Sequence, residues 1–310
     1  MNLKEIKYPS DELWNRGVEI ISLLQSAGFE TYFVGGCVRD ILLGITPEDY
    51  DIATSARPKE ILKLFPDAEK IGIRFGVLTL AGSAGKYQIA TFRRDDPKSD
   101  GRRPDRIFFS DLRGDSKRRD FTVNSIYLNP VNQEFIDPNN GIEDLQNGIL
   151  RIIGNPSVRL REDHLRILRA VRFAARFRLQ IEENSLDSIK KSVPLLINIS
   201  PDRIRDELGR IFKDKNKVFA LELLHKTGIL PILWSKFSTD TELYLQSSAS
   251  LGTLQENSDT SVWTAFFLPW GKYLNSEPES LENAMSRLNL SRKVKKEIIR
   301  QIKIKTSQNA

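Results

Sequence analysis

The chain has 310 residues, enough for roughly two domains of ~150 residues, and its 40% apolar and 28% charged content supports folded cores rather than disorder. Lysine and arginine number 47 against 41 aspartate and glutamate, a net +6 that favours a polyanionic partner. A lone cysteine, Cys37, with only His164 and His225 beside it, excludes an intrachain disulfide and a Cys/His zinc cluster, so catalysis must rest on carboxylates, hydroxyls and basic groups.

From the N-terminus, MNLKEIKYPSDELWN lacks the apolar stretch of a secretory signal, and no later run approaches the ~20 apolar residues of a membrane helix. The expectation is a cytoplasmic protein with no membrane partner. Short β-rich runs (TYFVGG, DYDIAT, GVLTLA, YQIATF, RIFFS) then alternate with helical patterns such as CVRDILLG and PKEILKLF, giving a mixed α and β domain over 1–150. From about Val158 the strand signals fade. Long 3.6-period segments follow (REDHLRILRAVRFAARF, SPDRIRDELGRIFK, KVFALELLHKTGIL, SLENAMSRLNLSRKVKKEIIRQIK), so the second half is expected to be all-helical. Between Ser235 and Ser261 eleven of 27 residues are Ser or Thr, which predicts a loose connection there. Basic charge gathers in residues 100–120, 159–178 and 287–305, with seven, seven and eight Lys/Arg, and three such runs point to a phosphate-rich partner.

Gly35-Gly36 follows the apolar run TYFV and opens CVRDILLG. A strand, a glycine turn and a helix start carrying Arg39 make a place where backbone N–H groups and a guanidinium can hold a phosphate. Thirteen residues beyond Gly36 comes Asp49-Tyr50-Asp51, entering a strand. Alternation puts both carboxylates on one face with Tyr50 opposite, and two like charges side by side call for a cation between them. Mg²⁺ suits this pair, since it takes one or two carboxylates together with substrate phosphate oxygens.

FVGGCVRDILLG with EDYDIATSARPKEILKLFP resembles the signature of the bacterial-type tRNA CCA-adding enzymes and the related poly(A) polymerases. The segments IGIRFGVLTL, YQIATFRRDDPKSDGRRPD, RRDFTVNSIYLNP, FIDPNNGIEDLQNGILRIIGNP, REDHLRILRAVRFAARF and SPDRIRDELGRIF fall in the same order, so the resemblance covers roughly residues 32–212. It implies an α+β fold: an N-terminal nucleotidyltransferase head of the DNA polymerase β type with a mixed sheet (1–150), a helical neck for base selection (151–215) and a helical body for RNA binding (216–310), with a short or absent tail domain. It also implies roles. Asp49 and Asp51 would bind Mg²⁺ and promote in-line attack of an RNA 3′-hydroxyl on the α-phosphate, and Gly36, Arg39 and Arg119 would contact the nucleotide.

On REDHLRILRAVRFAARF, 100° per residue places Ile167, Ala170, Val171, Ala174 and Phe177 on one apolar arc and Arg169, Arg172 and Arg176 opposite. Arg166 falls near the edge of that arc, where Asp163 one turn earlier is its expected ion-pair partner. The resemblance implies that Asp163 and Arg166 serve as a template for the incoming base: the carboxylate accepts from the exocyclic amino group of C or A and the guanidinium donates on the same edge. Arg169 and Arg172 would support the phosphates or the base.

Gln88 stands where the resemblance would place Glu, and an amide supplies no negative charge. The implied reaction is template-independent addition of C and A to the tRNA 3′ end from CTP and ATP with Mg²⁺, with Lys293, Lys295 and Lys296 as an RNA-binding run. Its alternatives are CC-only or A-only addition and poly(A) synthesis. A non-catalytic RNA binder on a decayed scaffold has no reason to keep Asp49, Asp51, Asp163 and Arg166 together with their buried like charges, and nucleotidyl transfer to a small molecule needs no basic helical half.

Overall fold

The computed structural model describes residues 3–82, 85–95, 107–255, 258–273 and 280–308. The chain divides into two compact units, Met1–Asn155 and Pro156–Ala310. Residues 96–106, which include the first part of the basic stretch at 100–120, lie outside the described residues.

In the first unit, helix α1 (Glu12–Ser26) starts at Asp11, whose carboxylate accepts the Trp14 N–H at 2.7 Å. Its buried face, Trp14, Gly17, Ile20, Ile21 and Leu24, repeats at helical spacing and packs on strand β1 (Thr31–Val34). Glycine is required at 17, because a Cβ there would stand 2.6 Å from the Phe33 ring. The chain continues through α2 (Gly36–Leu42), β2 (Tyr50–Thr54), α3 (Pro58–Leu64), β3 (Val77–Gly82) and β4 (Gly85–Thr91). A short antiparallel ribbon of β5 (Arg93–Asp95) and β6 (Ile107–Phe109) leads to α4 (Leu112–Arg118), β7 (Tyr127–Asn129), β8 (Glu134–Ile136) and α5 (Gly141–Gln146).

Six strands form one sheet in the order β3-β4-β2-β1-β7-β8. Only β2 and β4 run parallel, so the sheet is mixed, as expected. Registers Asp51↔Gln88 and Thr79↔Gln88 set those three side chains in one row across three strands. Val34, Ala53, Phe92 and Tyr127 form a buried cluster on the sheet, while Trp14, Phe33 and Tyr50 pack ring against ring under α1.

Apart from a two-residue strand at Gln180–Ile181, which departs from the all-helical expectation, the second unit is helical: α6 (Pro156–Glu162), α7 (Arg166–Phe177), α8 (Glu183–Ser192), α9 (Pro201–Lys213), α10 (Lys217–Lys226), α11 (Ile229–Leu233), α12 (Lys236–Thr239), α13 (Thr241–Gly252), α14 (Asp259–Phe267), α15 (Leu281–Ser286) and α16 (Arg292–Gln308). Three predicted long segments are split. REDHLRILRAVRFAARF breaks after Glu162 because the Asp163 carboxylate bonds the Leu165 N–H at 3.2 Å, a turn that competes with the helix ladder. KVFALELLHKTGIL breaks at Gly228, with φ +79, and the last segment breaks at Asn289, with φ +47. The Ser/Thr-rich stretch expected to be loose holds α12 and α13 instead. Asp240 caps α13 by accepting the Leu243 N–H, Leu243 and Leu251 are buried, and the Ser247 hydroxyl bonds the Phe266 carbonyl at 3.0 Å, so the polar residues are satisfied within a packed helix. Phe212, Trp234, Trp263, Phe266, Phe267 and Trp270 form the aromatic centre of this unit. Among the described residues no helix is long and apolar enough to cross a membrane.

Candidate active site

The glycine turn and the DxD pair are built from adjacent strands. β1 ends at Val34, and Gly35 takes φ +81 while its N–H bonds the Ile126 carbonyl at 3.2 Å. A Cβ at Gly35 would be strained and would meet Arg119 Nη1 at 3.3 Å, so glycine brings the backbone close to that guanidinium. On β2, Tyr50 is 1% exposed against Trp14 and Phe33. Alternation therefore turns Asp51 outward, and Asp49 and Asp51 both open into a cleft of about 320 Å³ lined also by Glu69, Ile71, Thr79, Lys86 and Gln88. Asp49 and Asp51 are exposed residues at the cleft, although the Asp51 carboxyl itself is partly withdrawn from water, so the expectation of buried like charges holds only in part.

Asp51 nevertheless feels its walls. Desolvation and the neighbouring Asp49 raise its carboxyl to about 6, with Arg119 pulling the other way. Such a pair is electrostatically incomplete without a cation. Among the described residues no group of three or more His, Cys, Asp or Glu side chains converges, and Asp49 and Asp51 offer two hard oxygen donors to the cleft. That set fits Mg²⁺, which completes its shell with water and phosphate oxygens, and does not fit a closed zinc site. Gln88, next to Asp51 in the sheet, adds an amide to the cleft, and the further carboxylate lining it is Glu69, bridged to Thr79.

Arg119 lies within electrostatic range of Asp51. Its Nε and Nη2 donate to Asp115 Oδ2 at 3.2 and 3.0 Å. Arg118, its neighbour in RRDFTVN, donates to Asp115 Oδ1 at 2.8 Å. Arg39 is placed differently from a phosphate-facing cation: it is 4% exposed, and its guanidinium donates to Asp40 Oδ1 at 2.7 and 3.0 Å and to Asn124 Oδ1 at 2.5 Å. Asn124 in turn donates to Asp120 at 3.1 Å. An Asp40–Arg39–Asn124–Asp120 chain thus ties the helix after the glycine turn to the RRDFTVN segment. Sequence reasoning does not single out Asp40, Asp115, Asn124 and Tyr127. The available signal is the need of two consecutive arginines for a buried acidic partner, together with the position of Asp40 and Asn124 inside the two motifs.

In the second unit the side chains of Asp163 and Arg166 do not pair with each other, although the Arg166 N–H donates to the Asp163 carbonyl at 3.1 Å. Asp163 Oδ1 accepts from Arg203 Nη2 on α9 at 3.1 Å, and Arg166 donates to Glu162 at 3.2 Å and to the Arg159 carbonyl at 2.6 Å. The exchange follows from the partners each side chain finds: Asp163 Oδ1 is taken by the Leu165 N–H and by Arg203, and Arg166 turns back to the last turn of α6. The arc expected on α7 is observed: Ile167, Ala170, Val171 and Ala174 are buried, with Phe177 half-buried. Arg172 donates to the buried Glu207 at 2.5 Å, and Arg169 and Arg172 both lie over the Phe173 ring, at 5.2 and 4.1 Å from its centroid. On α16, Lys293 and Lys296 are exposed, while Lys295 is half-buried and donates to Ser286 Oγ at 2.9 Å.

Residues 31–151 match the family model described as the poly A polymerase head domain, and residues 178–238 match the model described as the probable RNA and SrmB-binding site of polymerase A. The CCA-adding enzyme of Streptococcus mutans serotype c is 35% identical over 287 residues, covering 89% of this chain and 67% of that protein. The chain belongs to the tRNA nucleotidyltransferase and poly(A) polymerase family. Another relative in this family, the CCA-adding enzyme of Lactobacillus helveticus, is 42% identical over 201 residues, 64% of this chain. The chain spans about half the length of that relative. Among solved structures of the same family, the Bacillus stearothermophilus CCA-adding enzyme in complex with CTP superposes with a TM-score of 0.75 at 27% identity, over 96% of this chain and 71% of that one. The Thermotoga maritima CCA-adding enzyme complexed with tRNA gives a TM-score of 0.76 at 25% identity, over 96% and 70%. The mixed-sheet head followed by helices is thus the family's fold.

Proposed function

We propose that the protein transfers C and A nucleotides from CTP and ATP to the 3′ end of tRNA, without a nucleic-acid template, in the cytoplasm. The observation that carries this reading is the pair Asp49 and Asp51 opening into one cleft, at the start of the strand next to the one that ends in the glycine turn and within electrostatic range of Arg119, on a chain of this family. The CTP and tRNA complexes of its relatives support the substrate class.

In this reading Asp49 and Asp51 hold Mg²⁺, which when bound supplies Lewis-acid stabilisation of the α-phosphate and lowers the proton affinity of the attacking hydroxyl. Gly35 and Gly36 let the nucleotide approach the backbone, and Arg119 presents positive charge to the triphosphate. Arg39 acts through Asn124 and the turn, and reaches the nucleotide only indirectly. The stretch 151–215 works as the neck that selects the base. There Asp163 has both of its bonds on Oδ1, so Oδ2 remains to accept from the exocyclic amino group of C or A. G and U lack that group at the corresponding position. Arg166 donates on the same base edge, and Arg169 and Arg172 support the nucleotide from α7. The stretch 216–310 works as the body that holds RNA through Lys293, Lys295 and Lys296.

Incubation with α-labelled CTP, Mg²⁺ and a tRNA transcript lacking its 3′-CCA tests the proposal. Label should enter the RNA with wild-type protein and not with Asp51→Ala, which should still bind the RNA. Equal labelling by the variant would sink the metal assignment, and no labelling by wild type would sink the reaction.

A further inference from the structure

Asp115 is a heavily engaged carboxylate of the first unit and takes no part in the proposed reaction. It is 1% exposed. It accepts from Arg118 through Nε at 2.8 Å and Nη2 at 2.7 Å, from Arg119 through Nε and Nη2, from the Tyr127 hydroxyl at 2.7 Å and from the Arg93 N–H at 3.4 Å. A buried charge with this many donors is well solvated by the protein, and each donor loses freedom in return.

The consequence falls on Arg119. α4 ends at Arg118, and Arg119 leaves it in extended backbone, φ −67 and ψ 166, so the side chain folds back on the last helical turn. Asp115 takes the Nε–Nη2 edge of its guanidinium, Tyr127 Oη accepts from the same Nε at 3.3 Å, and the Tyr127 ring lies 5.4 Å beneath the guanidinium carbon. Tyr127 belongs to the buried cluster of the sheet, and its register partner on β1 is Val34, the residue before Gly35. One edge of the guanidinium is therefore held by α4 and one face by β7, the strand that pairs with β1 just before the glycine turn. The remaining Nη1 is the atom a Cβ on Gly35 would meet at 3.3 Å.

We propose that Asp115 is a positioning residue that sets the Arg119 guanidinium edge-on, with Nη1 presented at the glycine turn as a preorganised receptor for the triphosphate of the incoming nucleotide. The proposal rests on the nucleotidyl-transfer reading. Preorganisation is where the gain lies, because an arginine left to rotate would lose side-chain entropy on binding each nucleotide.

The test compares wild type, Asp115→Asn, Arg119→Ala and the double variant, reading kcat and KM separately for CTP, ATP and tRNA. Asp115→Asn should raise KM for both nucleotides by about tenfold, a size usual for coupled contacting residues. It should leave KM for tRNA unchanged and add less than about twofold in the Arg119→Ala background. An unchanged nucleotide KM, an equal rise for tRNA, or full additivity with Arg119→Ala would overturn the proposal. Should Asp115→Asn fail to fold, Tyr127→Phe removes one donor and keeps the charge. It should raise nucleotide KM by a smaller factor only while Arg119 is present, and no rise would count against the proposal. If wild type transfers nothing to RNA, titration of CTP with Mg²⁺ separates the two ideas: weaker binding by Asp115→Asn supports the positioning role on its own, and equal binding overturns it.

Discussion

Asp163 is held by Arg203, 3.1 Å away on α9, while Arg166, its expected partner three residues on, donates to Glu162. The two groups of the proposed base template are therefore oriented by different neighbours, and each can be disturbed alone. Arg203→Ala should lower discrimination of CTP and ATP against UTP and GTP by roughly tenfold, the value of one charge-assisted hydrogen bond in a partly exposed site. Arg203→Lys, which keeps charge but not the planar fork, should recover only part of it. Single-turnover kcat/KM values for the four nucleotides check this, and unchanged selection in both variants would remove Arg203 from base choice.

The Asp51 carboxyl stands raised, at about 6, so the folded metal-free protein binds a proton there that the unfolded chain releases near pH 4. Stability of the metal-free protein should therefore fall as pH rises through 4 to 6, and Mg²⁺ should restore it above that range, where the carboxylate is free to bind. The expected thermal shift with Mg²⁺ is small at pH 5, larger at pH 7, and lost in Asp49→Ala with Asp51→Ala. A shift independent of pH, or retained in the double variant, would contradict the cation site.

Asp115 has the opposite sign. Burial pushes it up, but Arg119 and Arg118 more than reverse this and hold it at about 2, so its contribution is present above pH 4 and lost as pH falls through about 2. The size is roughly 2 kcal/mol from the displacement of its titration. Denaturant unfolding between pH 2 and 5 should show this loss in wild type and a flatter curve in Asp115→Asn.

Gly17→Ala should destabilise the first unit by roughly 1–3 kcal/mol, the usual range for overpacking, because its Cβ would stand 2.6 Å from the Phe33 ring in a filled core. Denaturation monitored through Trp14, which packs on Phe33, checks it.

Replacing Lys293 and Lys296 with Gln should weaken RNA binding and reduce the slope of log affinity against log salt by up to about 0.7–0.9 for each phosphate that is no longer neutralised. Lys295, tied to Ser286, should contribute less. Equal affinity and slope would make α16 an ordinary solvated face.

Strand and helix alternation in the first unit, the outward pair Asp49 and Asp51, and the apolar arc of α7 are legible in the sequence because each follows from local periodicity. The partners of the charged groups are not. Arg39 joins Asn124 85 positions away, Arg172 joins Glu207 and Asp163 joins Arg203, and such pairs depend on how helices and strands come together. Helix ends are hidden for a related reason: the Asp163 side chain and the left-handed residues Gly228 and Asn289 break segments whose apolar spacing continues across the break.

The most direct test of CCA synthesis uses three tRNA transcripts, ending before CC, after CC and after CCA, each incubated with the protein, Mg²⁺ and CTP, ATP or both, with the products sequenced. The expected result is addition of C, C and A to the first, A alone to the second, and nothing further to the third. CC alone or A alone would narrow the activity to a partial reaction, and continued A addition to the third transcript would contradict CCA synthesis in favour of poly(A) polymerisation.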